Sequence, residues 1–78
     1  MKLIELLDTI AYNQPVEIAD NQNTIYKTYD NPRLVNPIYN NREVEMTIAT
    51  IQEASLPDIN TTYQQLIITI FLLPINTN

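Results

Sequence analysis

The 78 residues predict a single α+β domain, an N-terminal helix laid on a four-stranded, mainly antiparallel sheet in the order α-β-β-β-β. Three observations carry that expectation. Leu3, Leu6, Leu7 and Ile10 recur at helical spacing in the first dozen residues. Four later runs are rich in β-branched and aromatic residues. Between the runs stand clusters of Asn, Asp and Pro, the turn formers left to a chain whose glycine count is 0.

The helix is expected over 2–13, with Lys2, Glu5 and Thr9 turned away from the apolar stripe and Pro15 stopping it. A hairpin follows over 15–29. "PVEIAD" alternates Val16 and Ile18 with Glu17 and Ala19, "DNQN" supplies the turn, and "TIYKTY" returns. In that turn an Asn is expected to take the left-handed backbone that Gly would otherwise supply. Residues 30–41, with Asn–Pro steps at Pro32 and Pro37, read as an irregular connection with one helical turn. A second hairpin spans 42–73. Val44, Met46 and Ile48 are expected to face the helix, with Glu43, Glu45 and Thr47 on the other face. A loop over 53–63 joins it to "QQLIITIFLL", and 74–78 is expected to fray.

Composition excludes more than it assigns. Cysteine and histidine counts are both 0, which removes disulfides, structural zinc and Ser–His catalysis. Without glycine there is no phosphate loop, dinucleotide fingerprint or nucleophile elbow. The expectation is therefore no enzyme, no cofactor and no metal. Asp+Glu 9 against Lys+Arg 4 argues against direct nucleic-acid binding, which needs clustered cations. Acidity could imitate DNA, but charged residues are only 17% of the chain, and solubility is the simpler reading. No run approaches the ~20 apolar residues of a membrane helix, and Glu5 and Asp8 interrupt any signal-like segment, so a cytoplasmic protein is expected.

"LIITIFLL" raises the main question. As a strand it carries apolar side chains on both faces, yet one helix covers one face. Ile67, Phe71 and Leu73, joined by Ile51 from the preceding strand, are left for something else to cover. Three covers are available: the long loop through Leu56 and Ile59, a second copy of the chain, or a foreign partner. The reading taken here is self-association, a homodimer built on Ile51, Ile67, Phe71 and Leu73. Tyr26, Tyr29 and Tyr39 flank the Asn–Pro connection and are of the type that anchors interfaces, although tyrosines more often cap the core margin. Glu43 and Glu45 complete the candidate partner-binding surface, against the plainer alternative of a solvated strand face.

The succession "LIELLDTI", "VEIAD", "TIY", "NREVEMTI" and "LIITI" resembles small uncharacterised proteins of phages and prophages from low-GC Gram-positive bacteria. The resemblance covers most of the chain and departs from the pattern at the long loop before the last strand. It implies a virus-encoded accessory protein acting in the host cytoplasm by binding and blocking a host protein, as anti-restriction and anti-CRISPR proteins do. The alternatives are a self-associating structural or assembly component and a small-ligand-binding protein.

Overall fold

The computed structural model describes residues 1–55 and 61–75. Its elements are α1 (Leu3–Leu7), β1 (Val16–Asp20), β2 (Ile25–Tyr29), two 3-10 turns (Pro32–Leu34 and Pro37–Tyr39), β3 (Val44–Ser55) and β4 (Thr62–Leu72). The α+β class holds. The four strands lie in the order β2-β1-β4-β3. β1–β2 and β3–β4 are antiparallel hairpins, and β1–β4 is parallel, so the sheet is mixed.

That order explains the double-faced strand. β4 is central, flanked by β1 on one side and β3 on the other. On each face its side chains stand between those of the two neighbouring strands, which take part of their surface from water. Ile67 on the second face is accordingly only 4% exposed.

α1 is much shorter than the expected 2–13. Its first N–H groups are taken by the connection, Leu3 to the Arg42 carbonyl and Ile4 to the Asn40 carbonyl, while Glu5 accepts the Lys2 N–H. The i−4 ladder ends at Asp8, because Thr9 and Ile10 instead bond the i−3 carbonyls of Leu6 and Leu7. The Thr9 hydroxyl also takes the Leu6 carbonyl, a local competitor of helix continuation. The apolar stripe nonetheless packs as expected. Leu3 and Leu7 are buried with Val16, Ile18, Val35, Ile70 and Leu72, and Leu6 and Ile10 lean on that cluster.

In the β1–β2 turn the left-handed residue is Thr24, with φ 55, and not an Asn. The connection forms two Asn-capped turns instead of one: Asn31 Oδ1 accepts the Arg33 N–H and Asn36 Oδ1 accepts the Ile38 N–H. Each proline follows its cap at the first helical position, where no N–H is needed. The tail is not free at its start, since the Ile75 N–H and C=O both bond the Gln22 side chain; 76–78 lie outside the described residues.

The largest departure is in β3. Val44 pairs with Leu72 but Met46 with Phe71, so Glu45 is an extra, bulged residue. A bulge moves every later residue to the opposite face. Val44 stays on the helix side, while Met46 and Ile48 pass to the second face and Thr47, Ala49 and Ile51 pass to the helix side. The hairpin is also longer than expected. Residues 53–55 and 62–63, assigned to the loop, are strand, and the ladder runs to Ser55↔Thr62. Because β1 pairs with β4 only from Ile68 to Phe71, the far half of β3–β4 projects as a two-stranded arm in a molecule 52 Å long.

Candidate functional site

The helix and the 3-10 turns all pack on one side of the sheet, through Leu3, Leu7, Val35 and Tyr39. Residues paired across neighbouring strands share a face, so the register defines the other side. One row runs Tyr26, Ala19, Phe71, Met46 and the next Thr28, Glu17, Thr69, Ile48. Within the second row the Thr69 hydroxyl donates to Glu17 Oε1 at 3.1 Å, satisfying the polar groups at the centre of the face. Leu73 extends the apolar part beyond the first row, with its N–H on the Glu43 carbonyl. Tyr26, Met46, Ile48 and Leu73 are exposed and Phe71 is half-buried.

No described element lies over this face. Leu56 and Ile59, expected to fold back on it, lie outside the described residues. Their loop is anchored at Ser55 and Thr62.

The candidate residues divide. Ile67, Phe71 and Leu73 share the second face, but the bulge turns Ile51 to the opposite one, where it pairs with Leu66 and is 65% exposed. Tyr29 and Tyr39 pack partly buried against the core on the helix side, as tyrosines at a core margin do. The Lys27 ammonium sits 5.3 Å from the Tyr29 ring. Tyr26 does reach the second face, its hydroxyl donating to Asn21, but on β2 at the sheet edge opposite Glu43 and Glu45. Three strand spacings, about 14 Å, separate the two edges, so the tyrosines and glutamates do not form one cluster. Glu43 and Glu45 do not share a face with Thr47 as expected. Glu43 holds the Met1 α-amino group at 3.1 Å, and Glu45 is the bulge.

Two features were missed in the sequence. Asp20 looked like a turn residue and Arg42 like the opening residue of the second hairpin. They form a buried, two-pronged ion pair, Nη1 to Oδ2 at 2.9 Å and Nη2 to Oδ1 at 3.2 Å. Arg42 Nη2 also donates to the Leu73 carbonyl, and Asn23 Nδ2 donates to Asp20 Oδ2. The hydrogen bonds from Arg42 hold the Asp20 carboxyl below its ordinary pKa of 3.8; burial opposes them, and Asn23 and the guanidinium charge add to them. The pair bolts the end of β1 to the start of β3 and is structural. Only "D" ending one apolar strand and "R" preceding another hinted at it, and that signal is common.

The second is a cleft of about 340 Å³ between α1 and the Asn–Pro connection, lined among others by Leu7, Asp8, Tyr12, Pro32 and Arg33. The Arg33 guanidinium stacks 5.0 Å from the Tyr12 ring at its mouth. Among the described residues no three carboxylates gather as a metal site would require, and no helix is long and apolar enough to cross a membrane. No protein family, no curated protein and no solved structure matches the chain.

Proposed function

We propose that the chain is a non-enzymatic binding protein, a phage-encoded accessory protein that docks on a host protein in the host cytoplasm and occludes or remodels it, in the manner of an anti-restriction or anti-CRISPR protein. The observation that supports this reading is the sheet face that no described element covers, where Phe71, Met46, Ile48 and Leu73 stand together with Glu43 and Glu45 at the adjoining edge. Apolar anchors beside carboxylates suit a partner surface with an apolar patch and Lys or Arg at its rim. The phage and anti-defence part rests on the resemblance given above.

The test is protection. The chain is expressed in a Gram-positive host carrying an active restriction or CRISPR system and challenged with a phage that the system recognises. Plating efficiency should rise with the wild type and not with Met46→Glu/Leu73→Glu, both sites being exposed so that the fold survives. No protection by the wild type, or equal protection by the variant, refutes the reading.

A second reading, small-ligand binding, is favoured by the cleft at Tyr12 and Arg33, whose volume falls at the lower end of ligand pockets, about 300–1,000 Å³. A ligand at about 100 times its Kd adds about 2.7 kcal/mol to stability. A thermal-shift screen with nucleotides and small anions should then show a rise that Arg33→Ala removes; no rise with any of them ends this reading.

A further inference from the structure

The two edges of the sheet are built differently. β2 is five residues long, carries Lys27 at its centre and runs into Pro32, the devices by which edge strands avoid pairing. β3 is twelve residues long and is protected only at its start. There Val44 donates to the Met1 carbonyl, Lys2 bridges to Glu43, and Glu45 bulges. From Met46 to Ser55 the ladder with β4 is regular, without proline, lysine or a further bulge. A long, flat, unguarded edge is a template for another strand.

We propose that this edge pairs with β3 of a second copy, antiparallel about a two-fold axis at Thr50, joining two four-stranded sheets into one of eight. Charge selects the occupant. The chain carries a net charge of -5, so most of its surfaces repel their own copies. The arm, residues 46–55 and 62–70, contains Glu53 as its one charged residue. It is the stretch that can meet itself without juxtaposing like charges, and an isologous contact requires that.

The register follows from the same constraint. An axis at Ala49 would set Glu45 against the partner's Glu53 on both sides of the seam. Moving the axis to Thr50 sets Glu45 against the partner's Ser55 and Glu53 against the partner's Thr47. It also continues the apolar rows across the seam. Phe71 and Met46 meet the partner's Ala54 and the partner's Tyr63, while Leu66 and Ile51 meet the partner's Ala49 and the partner's Ile68. Met46, Ile51, Tyr63 and Leu66 are exposed in the single chain, on an arm that would otherwise be an isolated hairpin, marginal in water. The seam also places two copies of the uncovered face side by side on one sheet. It is independent of what binds that face.

The test uses single cysteines, which the chain otherwise lacks. Thr50→Cys is next to itself across the axis, within disulfide reach, and should cross-link to a dimer under oxidised glutathione. Gln52→Cys lies on the same face but four positions, about 13 Å, from its own copy, and should stay monomeric in a denaturing gel. Light scattering should give twice the 9.0 kDa chain mass for the wild type, falling to one chain for Thr50→Lys with an unchanged far-UV circular dichroism spectrum. A wild type that stays at one chain mass up to millimolar concentration overturns the proposal and leaves the edge to a strand of another protein. Open-ended multimers, a Thr50→Lys dimer, or cross-linking through Gln52→Cys and not Thr50→Cys also overturn it. Leu73→Glu alone, exposed and outside the seam, should lose protection whatever the outcome here, which separates the two claims.

Discussion

Replacing Asp20 by Asn keeps the shape of the side chain and removes its charge, so it isolates the buried ion pair. The Asp20 carboxylate is 0% exposed and receives three donated hydrogen bonds, two from Arg42 and one from Asn23. Removing one charge of such a pair costs about 3–5 kcal/mol, mostly because the other is left buried and uncompensated. The low end, about 3 kcal/mol, is expected here, since Arg42 keeps the Leu73 carbonyl and can still donate to the amide oxygen. At about 0.05–0.15 kcal/mol per residue the whole chain has about 4–12 kcal/mol, so the loss is a large share of it.

Urea unfolding followed by circular dichroism reads this directly. With a slope of about 1 kcal/mol/M for a chain this small, the midpoint at pH 7 should fall by about 3 M. The gap between wild type and variant should depend on pH with a definite sign. The folded-state pKa of Asp20 is lowered below 3.8, chiefly by the Arg42 hydrogen bonds, so on acidification the unfolded chain takes up the proton first. The ion pair's contribution is present in full above pH 3.8 and is lost as pH falls through the folded value. A protonated Asp20 resembles the Asn that replaces it, so the two unfolding curves should converge below pH 3.8. A gap as large at pH 2.5 as at pH 7 would refute the assignment of the stability to Asp20's charge.

Three further outcomes follow from particular residues. Thr24 holds a left-handed backbone that costs a β-branched residue about 1–2 kcal/mol, so Thr24→Asn should raise stability by about 0.5–1 kcal/mol, seen as a higher thermal midpoint. Ile70 is fully buried at the centre of the core, and Ile70→Ala should cost about 2–5 kcal/mol in the same urea experiment. Deleting Glu45 removes the bulge and leaves Val44↔Leu72 followed directly by Met46↔Phe71, a regular ladder. That variant should fold with a wild-type circular dichroism spectrum; an unfolded product would show that the bulge's local twist is itself required.

Much of the fold was legible along the chain. The stripe Leu3, Leu6, Leu7, Ile10, the alternation of Val16 and Ile18 and the turn clusters are local signals, and local signals set which segments are helix, strand or turn. Two sequence-neighbouring hairpins were readable for the same reason, since short connections make neighbours pair. The exclusion of histidine, cysteine and glycine chemistry is likewise a property of composition, independent of folding.

What the tertiary structure decided concerns pairings between distant segments. The parallel match of Val16–Ala19 with Ile68–Phe71 made β4 central, with its apolar run between two strands instead of at an edge. One extra residue at Glu45 reversed the faces of Met46, Ile48 and Ile51, because side-chain direction in a strand has a period of two and a single insertion inverts it. The salt bridge from Asp20 to Arg42 spans 22 positions, and a carboxylate and a guanidinium read the same in sequence whether solvated or buried. Local chemistry specified the elements; register, which depends on the whole sheet, specified which side chains meet.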